Sequence, residues 1–108
     1  HPSARGTRHG ALHVALVLQY ARTGDPTDLD EAFQLASDAA VITPDGDHNT
    51  TDRALDLAHV HALRHERSGD PADAAEADRL ATLVLRATTD GDPDRERAER
   101  ILARDTAG

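Results

Sequence analysis

The chain is 108 residues long, one domain's worth of polypeptide, with 12 basic residues, all Arg, against 20 acidic ones and a formal charge of −8. That balance lacks the basic stripe that tracks phosphates, and only Tyr20 and Phe33 offer rings for stacking, so nucleic acid is not an expected partner. The absence of Cys removes disulfides and thiolate metal sites, and no apolar run approaches the roughly 18–20 residues of a membrane span.

No secretory signal pattern opens the chain, and nothing in it demands an oxidising compartment, so a cytoplasmic location is expected. The start at His1-Pro2-Ser3, without Met, reads as a piece cut from a longer chain.

Five helical segments follow in order. The first is predicted over about 7–22, where Leu12, Leu16 and Tyr20 lie four apart with Ala15 and Leu18 alongside. Gly24 ends it, since glycine takes the left-handed cap conformation at little cost, and Asp25-Pro26 blocks simple continuation. The second starts near Asp28, with Asp28 and Glu31 spaced as a capping box. Ala32, Leu35, Ala36, Ala39 and Ile42 follow at helical spacing. Pro44-Asp45-Gly46-Asp47 reads as a turn.

The third helix is predicted over about 51–67, capped by Thr50 or Thr51 and closed at Gly69. The fourth, about 73–87, repeats the acidic start as Asp73 and Glu76. Thr89-Asp90-Gly91-Asp92 repeats the turn. The fifth takes Asp92 as cap and Pro93 as first helical residue, where the missing N–H costs nothing. Ala98, Ile101 and Leu102 give it one narrow apolar stripe, and Thr106 to Gly108 should fray. No strand is convincing.

The chain also repeats itself. Tyr20 to Ala32 reads YARTGDPTDLDEA, and His65 to Ala77 reads HERSGDPADAAEA, at an offset of 45 residues. The offset holds outside that window: Leu12 falls on Leu57, Leu18 on Leu63, Leu35 on Leu80 and Ala36 on Ala81. A period of roughly 20–50 residues signals stacked supersecondary units, which build extended binding surfaces far more often than catalytic pockets. The expected architecture is all-α: one domain, 1–108, with units 7–49 and 50–92 stacked in a right-handed solenoid fragment and a capping helix over 93–105.

These residues resemble tetratricopeptide-type repeats, in a long bacterial variant built around a Tyr-Arg-Thr-Gly-Asp-Pro turn. Tyr20-Ala21-Arg22-Thr23-Gly24-Asp25-Pro26 carries that turn closely, and His65-Glu66-Arg67-Ser68-Gly69-Asp70-Pro71 carries a degenerate copy. Ala32, Ala36, Ala39 and Pro44 match the small positions and closing proline of the general repeat in order. The second unit has Ala77, Ala81, Val84 and Thr89 there, so its proline is lost. The glycine usual midway along the first helix is Val17 and Ala62. A composition rich in Ala, Arg, Asp and Leu suits a bacterial chain. The resemblance implies a non-catalytic sensor, scaffold or regulatory arm, in arrays sometimes joined to a caspase-like (CHAT) peptidase domain. It does not extend to the chaperone-tail clamp of some members, which needs Lys and Asn on the first helices.

Histidine is the residue with chemistry to offer. His9 and His13, and His61 and His65, are i,i+4 pairs, a spacing that can chelate Zn²⁺ or Ni²⁺. Against that, His61 and His65 fall on Leu16 and Tyr20 of the first unit. They therefore read as partly buried packing residues satisfied by Asp, Glu or backbone, and as a pH-sensitive element if buried. The expectation is no metal and no cofactor. Asp45, Asp47, Asp90 and Asp92 read as turn residues, because an EF-hand needs more ligands. Arg95, Arg97, Arg100 and Arg104 alternate with acids and read as a solvated face with i,i+4 pairs. No serine nucleophile elbow or phosphate loop is present.

The expected function is protein–protein interaction without catalysis. Its surface is the concave one lined by the first helix of each unit, with His13, Gln19, His59 and Arg64 as exposed candidates. A neutral or basic peptide suits the net charge. A second expectation is self-assembly, as a homodimer through an uncapped apolar face at Leu12, Leu16 and Ile42. A third is a metal sensor or enzyme using the His pairs.

Overall fold

A computed structural model describes the backbone of residues 2–42 and 50–104 and the side chains of 12–40 and 50–104. Five helices fill the described backbone: α1 Pro2–Thr23, α2 Pro26–Ile42, α3 Thr50–Ser68, α4 Pro71–Ala87 and α5 Pro93–Ala103. No strand occurs among the described residues, so the fold class is all-α. The Pro44–Asp47 turn, the 106–108 tail and the side chains of His9 and Ile42 lie outside the described residues.

Three helix starts differ from expectation. α2 and α4 begin at Pro26 and Pro71 instead of near Asp28 and Asp73. The reason is the Asp-Pro pair. The Asp25 carboxylate accepts from Thr27 N–H and the Asp70 carboxylate from Ala72 N–H, each at 2.9 Å, so each is the cap and its proline the first helical residue. Asp92 and Pro93 do the same for α5, as the sequence predicts. α1 also starts earlier than predicted, at Pro2.

The two Gly turns share their backbone hydrogen bonds one for one. Gly24 N–H reaches Tyr20 C=O at 2.7 Å, and Gly69 N–H reaches His65 C=O at 2.7 Å. Their φ angles are 71° and 76°, a region only glycine enters cheaply. The Thr23 hydroxyl donates to Gln19 C=O and accepts from Asp25 N–H; Ser68 does the same with Arg64 C=O and Asp70 N–H. The same backbone turn is thus written twice, with Thr and Ser interchangeable because only the hydroxyl is used.

Each helix packs on the next in sequence, and α5 also packs on α3. One apolar cluster joins Leu16 of α1, Leu29, Ala32 and Ala36 of α2, and Val60 of α3, with Leu57 and Leu63 against it. A second joins Leu55 of α3, Ala81 and Val84 of α4, and Ala98 of α5. Helix α3 belongs to both and is buried on two sides. The many alanines at these contacts bring helix axes close, because interaxial distance falls as contact side chains shrink.

The arginines of α5 do not form the expected i,i+4 ladder within their own helix, where, among the described residues, only Arg97 and Asp94, three residues apart, approach at 3.9 Å. Arg97 reaches Asp52 at 3.0 Å and Asp56 at 3.4 Å on α3. Arg95 donates to the carbonyls of Leu85 and Thr88, the orphaned acceptors at the end of α4. Arg104 reaches Asp78 at 2.9 Å. The apolar stripe of α5 is narrow, and these cross-helix bonds help position it.

Candidate functional site

An open groove of about 450 Å³ lies between α3 and α5. Ala62, Leu63 and Ile101 supply its apolar lining; His59, Glu66, Arg97, Arg100 and Arg104 supply its polar lining. Arg97 and Arg104 are tied to carboxylates of α3 and α4, which leaves exposed Arg100 and Glu66 as the groove's unpaired charges among the described residues. Locally the groove is therefore close to neutral, although the chain is acidic.

The four residues singled out from the sequence do not share one surface. His59 lines this groove and is exposed. Arg64, five residues on, points elsewhere: its guanidinium lies over the Phe33 ring, 4.2 Å from the centroid, and 3.9 Å from Asp73. Five residues turn a helix by about 140°, so the pair cannot face one way. Gln19 is exposed and donates to Asp28 at 3.3 Å across the first hairpin.

His13 is the clear departure from the expected exposure. It is only 4 % exposed, and neither ring nitrogen has a hydrogen-bond partner among the described residues. Its register equivalent is Ala58, which is fully buried, so the position faces inward in both hairpins. Asp56 approaches His13 Nδ1 at 3.9 Å, too far for a hydrogen bond. Burial holds the imidazole below its ordinary pKa, and the Arg97 and Arg53 charges add to that effect while Asp52 opposes it. Burial likewise pushes the Asp56 carboxyl up, and Asp52 adds to it, against the pull of Arg97 and Arg53.

The second His pair is held by hydrogen bonds. His61 Nδ1 donates to Asp73 at 2.8 Å and His65 Nδ1 to the Asp70 carbonyl at 3.0 Å. The His61 ring meets Phe33 edge-on at 5.3 Å. An Asp-oriented histidine is half of a hydrolytic dyad, but the described hydroxyls of Thr23, Thr51, Ser68 and Thr88 bond elsewhere. Among the described residues no three His, Cys, Asp or Glu side chains converge to hold a metal ion. No described helix is long and apolar enough to cross a membrane.

Sequence reasoning missed two features. Asp28 and Asp73 are not caps. They are nearly buried carboxylates in the first turns of α2 and α4, each receiving donors from the preceding helix. Their 45-residue offset was the signal, once Asp25 and Asp70 are recognised as the caps. The groove arginines were masked by alternation with acids, which hides a partner on another helix.

No protein-family model, curated protein or solved structure matches this chain.

Proposed function

We propose that this chain is a non-catalytic protein-interaction module, a tetratricopeptide-like helical repeat acting as scaffold or regulatory arm of a larger bacterial cytoplasmic protein. The observation that carries the reading is the α3–α5 groove: open, apolar along Ala62, Leu63 and Ile101, and edged by polar side chains. Such a lining takes an extended segment, with apolar anchors supplying affinity and the polar edge supplying register. The matched Gly turns and the 45-residue offset support two hairpins stacked in a right-handed solenoid fragment, with α5 closing the second. Because Arg97 and Arg104 are neutralised, a neutral or basic peptide suits the groove better than an acidic one.

Selection from a random peptide-display library tests this reading. Enriched peptides should bind the chain and lose about tenfold or more affinity on His59→Ala, Arg100→Glu or Ile101→Ala, with helicity retained by circular dichroism. Failure to enrich any peptide, or binding indifferent to all three substitutions, would remove the groove as the binding surface.

A further inference from the structure

A different surface, independent of the groove, lies on the far side of α1. Leu12 is 47 % exposed and Leu18 61 % exposed; Ala15 lies between them and Arg22 one turn beyond, all open to solvent. Steps of three and four residues put these four on one face, opposite buried His13 and flanked by buried Leu16. Their equivalents 45 residues on are Leu57, Val60, Leu63 and Arg67. There, Val60 is fully buried in the cluster that holds Leu29, Ala32 and Ala36 of α2, and Leu57 and Leu63 pack against it. Helix α3 thus covers with α2 the face that α1 leaves bare.

Charge states what would fit. Residues 1–24 contain three Arg and no Asp or Glu. Arg22 makes no ion pair among the described residues. Helix α2, the neighbour that the equivalent face of α3 accepts, carries Asp28, Asp30, Glu31 and Asp38 and no basic residue. Among the described residues a second copy of this chain offers no uncovered counterpart of α2: its α2 is covered by α3, its α4 by α5, and its own α1 would bring cation to cation. We propose that the Leu12, Ala15, Leu18 and Arg22 face of α1 docks an acidic amphipathic helix from another protein, with a small-residue apolar stripe like that of α2.

The probe is a capped, fluorescein-labelled peptide of residues 25–42, titrated with the intact chain and followed by anisotropy. It should bind, weaken as salt is raised, and weaken several-fold when its acids at 28, 30, 31 and 38 are changed to Asn or Gln. Leu18→Glu should cost about tenfold or more. Leu83→Glu, which charges a comparably exposed leucine on α4, should cost nothing. Both side chains are solvent-exposed, so both variants fold; circular dichroism checks this. Three outcomes overturn the proposal: no binding at millimolar peptide, binding unchanged by Leu18→Glu, or a concentration-dependent dimer in sedimentation that Leu18→Glu abolishes. The last would make a second copy the occupant.

Discussion

The two hairpins share a backbone turn and differ in what their side chains do with it. In the first, buried Asp28 accepts from neutral donors, the Gln19 amide at 3.3 Å and, at 3.3 Å, a share of the Thr23 hydroxyl proton whose nearer acceptor is Gln19 C=O at 3.0 Å. In the second, Asp73 accepts from the His61 ring at 2.8 Å with the Arg64 guanidinium 3.9 Å away. The geometry is common to both, while the partner has changed from neutral to ionisable. A carboxylate at the third position of a helix can lock the preceding helix in either chemistry, but the bond to an ionisable partner is shorter and its loss strands more charge. The environments differ as well. α3 lies between α2, α4 and α5, whereas α1 packs chiefly on α2 and shows solvent an apolar face.

The sharpest way to break that comparison is at the two carboxylates. Asp73→Ala should cost about 2–3 kcal/mol, because it leaves His61 and Arg64 facing a partly buried gap. Asp28→Ala should cost about 1 kcal/mol, the net worth of neutral bonds. Equal losses in urea unfolding would show that the ionisable partner adds nothing. Next in size is the exposed face. Val60→Ala, emptying a fully buried site, should cost about 2 kcal/mol, while its counterpart Ala15→Val should change stability by less than about 0.7 kcal/mol.

Smaller effects are expected at the turns. Gly24→Ala and Gly69→Ala meet no steric neighbour within 4 Å, so only the positive φ opposes them. Each should cost about 1 kcal/mol, and the two costs should agree. Disagreement in melting temperature would show that the turns are alike in outline alone.

The subtlest test is of pH. The folded-state pKa of His13 lies below its ordinary value of 6.5, so the folded chain binds fewer protons there than the unfolded one. Its contribution is complete above about pH 6.5 and is lost as pH falls below that value. Asp56, raised above 3.8, acts in the opposite sense: it favours folding while protonated and loses that advantage as pH rises through its raised value. His13→Leu should therefore flatten the fall in melting temperature below pH 6.5, and it should stabilise the chain by removing two unpaired ring nitrogens. An unchanged pH slope would assign the dependence to other groups.

Much of this molecule is visible in one dimension. Helical periodicity, Gly24, Gly69 and the Asp92-Pro93 pair specify five helices and three of their boundaries, because those signals are local: a left-handed cap or a fixed φ acts within a turn of its own residue. The 45-residue offset likewise marks Asp28 and Asp73 as equivalents without any coordinates. Which way a side chain faces among neighbouring helices is another matter. His13 could be taken as exposed because burial depends on α3 and α5 arriving beside it. The arginines of α5 could be taken as a solvated ladder because Asp52, Asp56 and Asp78 are remote in sequence and near only after folding. Local stereochemistry decides the elements; the sum of long-range contacts decides which of their faces meet, and so where a groove opens and which helix is left uncovered.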